Sequence, residues 1–157
     1  MKIVAFALVF TIGAITCSYA QDGRSYGLLQ GGVTSSNKAA GGIEVGQNLG
    51  RNLQVYVAGG WLQDVQGWSA SHVSSGVKLM LPTVRARPYV LGGLGAIQFR
   101  NKPQASINQF LAEAGAGVAF AVGRQGYIDL GYRYMQPCEV AKNLSTGRMY
   151  AAFGFRY

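Results

Sequence analysis

Along the C-terminal third of the chain the side chains alternate in character with a period of two, and the charges keep to one phase of that alternation. Residues 127–134 read Ile128, Leu130, Tyr132 and Tyr134 on one phase, and Asp129, Gly131 and Arg133 on the other. Residues 151–157 set Ala151, Phe153, Phe155 and Tyr157 against Ala152, Gly154 and Arg156. Residues 110–120 set Phe110, Ala112, Ala114, Ala116, Val118 and Phe120 against Leu111, Glu113, Gly115, Gly117 and Ala119. A period of two belongs to strands, whose successive side chains point to opposite faces. A slip of one residue would turn every side chain over, so the pattern also pins the register. Leu53, Val55, Val57 and Trp61 oppose Gln54, Tyr56 and Gly60 in the same way, and Val77, Leu79 and Leu81 oppose Gly76 and Lys78. Glycine-rich stretches such as Leu91-Gly92-Gly93-Leu94-Gly95 leave the register open.

Such strands need a setting, and the composition narrows it. Charged residues make up 13% of the chain, against roughly 25% in ordinary soluble domains. Glycine is the opposite case: 23 residues where average usage predicts about 11. Polar groups are too few to cover a small soluble protein, yet beyond the N-terminus no apolar run is long enough for a membrane helix. A closed barrel meets both conditions, because it pairs every backbone group without helices.

The N-terminus reads as an export signal. Lys2 precedes an apolar run over residues 3–15, and Ser18-Tyr19-Ala20 places small residues at the −3 and −1 positions of a cleavage site. Residues 1–20 are therefore expected to be removed, and residues 21–157 to form one domain. Ala14-Ile15-Thr16 is a poor lipobox for Cys17. Without the signal, thirteen basic and six acidic residues leave a net charge of +7, and Cys138 stands alone, so no intrachain disulfide is expected.

Eight strand-like segments follow, at residues 25–33, 39–49, 52–62, 72–81, 87–99, 109–122, 127–136 and 146–157. The expected fold is all-β: an eight-stranded antiparallel up-and-down transmembrane β-barrel. An Arg or Lys facing mid-bilayer lipid costs roughly 2–4 kcal/mol, so the phase carrying Lys78 and Arg133 should face the lumen. Tight links near residues 50–51, 82–86 and 123–126 alternate with longer ones near 35–38, 63–71, 100–108 and 137–145, which places both termini in the periplasm. Aromatic girdles are expected at the interfaces, with Trp61, Phe99, Phe110 and Tyr134 near the outer rim, and Tyr89, Tyr127 and Tyr157 near the inner one.

Tyr127-Ile-Asp-Leu-Gly-Tyr-Arg-Tyr134 and the closing Tyr150-Ala-Ala-Phe-Gly-Phe-Arg-Tyr157 resemble the OmpA-like, opacity-protein type of outer-membrane β-barrel. Arg87-Pro-Tyr-Val-Leu-Gly-Gly-Leu-Gly95 is similar to the fifth strand of that group. The resemblance spans residues 21–157 and implies a bacterial outer-membrane protein. It also implies that Phe153, Phe155 and Tyr157 are read by the barrel-assembly machinery; the group's usual last residue is Phe, where this chain has Tyr. No peptidoglycan-binding segment follows residue 157, so anchoring to the cell wall is not expected.

The expected lumen charges are Glu44, Lys78, Glu113, Asp129, Arg133, Arg148 and Arg156. At about 4 Å and an effective dielectric near 20, each opposite pair attracts by roughly 4 kcal/mol, enough to hold a narrow barrel closed. Partner exchange by Glu113 or Asp129 would instead make a gate. His72-Val73-Ser74 is similar to the His-x-Ser of outer-membrane lipid A deacylases, but no Asp or Glu lies between Asp64 and Glu113 to complete a triad. Both residues share the phase of Lys78, away from lipid, and His72 reads as a polar residue at a loop edge. Lys38, Arg100, Lys102 and Lys142 fall in the outer links, where lipopolysaccharide phosphates could be met. Arg51, Arg85, Arg87 and Arg124 flank the inner turns as solvated charge. No catalytic group, metal site or cofactor is expected, nor nucleic-acid binding, and the barrel should be a monomer.

Two functional classes follow from these readings: a structural or surface-interaction barrel, and a narrow, gated ion channel. A soluble binding barrel is the third; it would invert the pattern, with an apolar interior and a charged exterior.

Overall fold

The computed structural model describes residues 25–65, 67–81, 86–101, 105–123, 125–138 and 145–156. They form eight strands: β1 (Ser25–Thr34), β2 (Ala39–Asn48), β3 (Leu53–Val65), β4 (Trp68–Met80), β5 (Ala86–Asn101), β6 (Ala105–Val122), β7 (Gly126–Pro137) and β8 (Thr146–Arg156). Each strand pairs antiparallel with the next, and β1 pairs with β8 to close the barrel. The expected signal, residues 1–20, lies outside the described residues, as do Lys102, Lys142 and Tyr157.

The alternation reads through directly. Outward stand Ile128, Leu130, Tyr132 and Tyr134 of β7, and Phe153 and Phe155 of β8. Inward and buried are Asp129 and Arg133, with Glu44, Lys78, Glu113 and Arg148 from other strands. In the glycine-rich β5, Val90 and Leu94 face out while Tyr89, Leu91, Ile97 and Phe99 face in.

Three expectations need correcting here. Phe99 (0% exposed), Tyr89 (3%) and Tyr127 (5%) lie inside the barrel, not in the interfacial girdles. Tyr127 shares its phase with Asp129 and Arg133, and Tyr89 and Phe99 follow the phase that puts Leu91 inside. Trp61, Phe110 and Tyr134 do stand on the outer surface. Second, the links near 63–71 and 100–108 are mostly strand. β3 runs to Val65 and β4 starts at Trp68, while β5 and β6 pair as far as Asn101 and Ala105. Third, β4 thereby begins four residues before His72, which is not at a loop edge but buried within the strand.

The longer strands leave part of the sheet standing above the barrel rim. Pairing of β2 with β3 ends at Ala40–Leu62, and pairing of β6 with β7 ends at Leu111–Pro137. Beyond those pairs, β3 to β6 continue together. Their inward face carries Leu62, Val65, Ala70, Ile97, Phe99 and Leu111, which pack with Ala40 and Met135 and are flanked by Trp68 and Ile107. Their outward face changes from apolar to polar above Trp61 and Phe110, with Gln63, Ser69, Ser71, Arg100 and Asn108 exposed.

Tyrosines fill the other half of the interior, and glycines make room for them. An ideal Cβ on Gly131 would lie 2.7 Å from the Tyr150 hydroxyl and 2.8 Å from that of Tyr89. One on Gly93 would lie 2.7 Å from the Tyr56 hydroxyl. In a barrel this narrow an aromatic ring reaching across the lumen needs a neighbour without a side chain.

Candidate functional site

Among the described residues, chemistry-bearing side chains converge in the interior. Glu44 of β2 is its centre. Its Oε1 accepts from the Tyr26 hydroxyl at 2.9 Å and from the ammonium of Lys78; its Oε2 accepts from Arg133 Nη2 at 2.7 Å and from Gln30 Nε2 at 3.2 Å. Glu113 accepts the Tyr56 hydroxyl at 2.6 Å and lies 3.6 Å from Arg133 Nη1. Asp129 accepts the Tyr89 hydroxyl at 2.6 Å and lies 3.7 Å from Lys78 Nζ. The Tyr89 proton being committed to Asp129, Tyr150 is the donor in the 2.5 Å bond between the two hydroxyls.

Tyrosine rings surround the cations as well. Lys78 Nζ lies 5.0 Å from the ring centre of Tyr89, 5.5 Å from that of Tyr26 and 5.6 Å from that of Tyr56. The Arg133 guanidinium lies 5.3 Å from the Tyr56 ring centre and 5.6 Å from that of Tyr150. Cation–π contact of this kind strengthens where water is excluded.

Of the seven expected lumen charges, five meet in this network: Glu44, Lys78, Glu113, Asp129 and Arg133. Arg148 is buried beside it but, among the described residues, bonds only the Gln30 side-chain oxygen, at 2.7 Å. Arg156 is half-buried at the terminal end, over the Tyr127 ring at 5.2 Å. The tyrosines Tyr26, Tyr56, Tyr89, Tyr127 and Tyr150 also belong to the site; from the sequence, Tyr89 and Tyr127 are assigned to a girdle and the other three are not singled out, although Tyr127 and Tyr150 share a phase with Arg133 and Arg148. Cys138 is exposed. Lys38 lies in the β1–β2 turn, and Arg100, exposed near the tip of β5, bonds Gln98.

His72 and Ser74 are both buried, facing the lumen, and neither imidazole nitrogen nor the hydroxyl has a hydrogen-bond partner among the described residues. A nucleophile needs a base within hydrogen-bond reach and a group that orients it, and the described residues supply neither. Nor do they hold a cluster of three or more His, Cys, Asp or Glu side chains suited to a metal ion.

No protein-family model matches the chain, and no curated protein matches it in sequence. Solved structures do. The N-terminal β-barrel domain of Pseudomonas aeruginosa OprF superposes with a TM-score of 0.73 at 17% identity, covering 85% of this chain and 97% of that one. Neisserial surface protein A gives 0.68 at 15% identity, over 86% and 96%. The outer membrane enzyme PagL gives 0.56 at 14% identity, over 83% and 97%. These likenesses are of fold alone, since at 14–17% identity residues cannot be matched one to one. The chain has the fold of the small eight-stranded outer-membrane β-barrels.

Proposed function

We propose that the protein is a structural and surface-interaction barrel of the bacterial outer membrane, with a closed lumen. The outer surface supports the membrane setting. Leu29, Ile43, Val45, Val77, Leu79, Val90, Leu94, Leu130 and Met149 stand exposed around the barrel, and the band ends at Trp61, Phe110 and Tyr134 where the polar extension begins. A soluble binding barrel would carry the opposite distribution. The filled interior supports the closed state, with buried charges and tyrosines in one half and the Phe99 cluster in the other. Lys38 and Arg100 sit at the extended end, the outer one in this reading, where lipopolysaccharide phosphates would meet them. Phe153 and Phe155, facing outward on β8, are the candidates for recognition by the assembly machinery.

Two measurements test the reading. Cys138, the only cysteine of residues 21–157, should react with a membrane-impermeant maleimide on intact cells; protection there, with labelling only after lysis, would reverse the orientation. The refolded protein and its Glu113→Ala variant should both stay silent in a planar bilayer. Discrete openings that the variant alters would replace the closed barrel with a gated channel.

A further inference from the structure

Seven buried side-chain atoms are without a hydrogen-bond partner among the described residues: both ring nitrogens of His72, Ser74 Oγ, Glu113 Oε2, Arg133 Nε and Nη1, and Arg148 Nε. They are not scattered. Arg133 and Arg148 are register partners across β7 and β8, and Glu113 and Met135 are partners across β6 and β7. His72 and Ser74 sit two residues apart on the inward face of β4. Gly42 and Gly60 are also partners; a Cβ on Gly42 would come 3.5 Å from Arg148 Nη1, and one on Gly60 would come 2.9 Å from His72 Cε1. Arg148 and His72 thus face one another over a patch of bare backbone. Gly95 opposite Ser74 is equally bare. The level lies between the Glu44 network and the apolar cluster around Phe99.

Buried polar groups are nearly always paired, with protein or with something bound. What would satisfy this level is set by its chemistry. Arg133 Nε and Arg148 Nε can only donate, Arg133 Nη1 already faces Glu113 Oε2 at 3.6 Å, and His72 and Ser74 can each add one donor. The acceptors are fewer: one imidazole nitrogen and the serine oxygen. Moreover, like charges directly opposite in a sheet repel, and Arg148 touches no carboxylate among the described residues. The carboxylates of Glu44, Glu113 and Asp129 are already engaged by Lys78, Arg133 or tyrosine hydroxyls.

We propose that this level is a binding site for a small monovalent inorganic anion, chloride being the available one, held by Arg148, Arg133, His72 and Ser74. An acceptor-only ligand uses the surplus donors and offsets the second guanidinium. The Phe99 cluster shields it from one end.

Crystals of the refolded protein grown in sodium bromide test the site. An anomalous peak within hydrogen-bond distance of Arg148 Nε and the His72 ring is expected. Urea unfolding should also be slower in sodium chloride than in sodium gluconate of equal ionic strength, by about tenfold once chloride exceeds its dissociation constant tenfold. Arg148→Met should abolish that difference; if this variant does not fold, Ser74→Ala should reduce it. The bromide map decides. Its failure to show a peak there, with water alone at this level, overturns the proposal whatever the unfolding rates, since a general salt effect would move those too.

Discussion

Arg133 and Arg148 stand directly opposite one another on β7 and β8, both fully buried, yet Arg133 bonds Glu44 and approaches Glu113 while Arg148, among the described residues, bonds only Gln30. The asymmetry makes Glu44 the residue on which the interior depends. It accepts from two cations and from Tyr26 and Gln30 at once.

Glu44→Gln should therefore destabilise the barrel by about 3–5 kcal/mol, because it strands Lys78 and Arg133 as buried charges without their shared anion. Reversible urea unfolding in lipid vesicles, followed by tryptophan fluorescence, measures it. A loss under 1 kcal/mol would mean that the network is hydrated and weak.

Gly131→Ala should cost about 1–3 kcal/mol, since its new Cβ would fall 2.7–2.8 Å from the hydroxyls of Tyr150 and Tyr89. Pairing it with Tyr150→Phe removes one of those oxygens. Double-mutant-cycle unfolding should then show coupling between the two sites rather than additivity.

On the lipid face, Leu130→Arg should cost roughly 2–4 kcal/mol in vesicles, the penalty for a cation at mid-bilayer depth. Ser71→Arg, outward on the extension above the apolar band, should change stability by under about 0.5 kcal/mol. Equal effects from the two would place the membrane boundary elsewhere.

Phe99→Ala should cost about 3–5 kcal/mol through the cavity left among Leu62, Ile97, Leu111 and Met135. Planar-bilayer recording adds a second readout. The Glu44 network still closes the terminal half of the lumen, so this variant should remain electrically silent; openings would make the Phe99 cluster the main barrier.

The period-two pattern by itself determined eight strands, their antiparallel neighbours, and the face on which Asp129, Arg133, Ile128 and Leu130 lie. It could do so because side-chain direction in a strand is a local property, set residue by residue. It also held the inward phase of Tyr127, which the expectation of an aromatic girdle overrode. Only the tertiary structure decided which charges meet. Arg133 and Glu44 are separated by 89 positions, and closure and stagger of the whole barrel bring them to one level. The same holds for the β3–β6 extension and for the level of unpaired donors around Arg148. Where a strand stops depends on how far its neighbours continue to pair, and which donors lack partners depends on what the opposite wall presents.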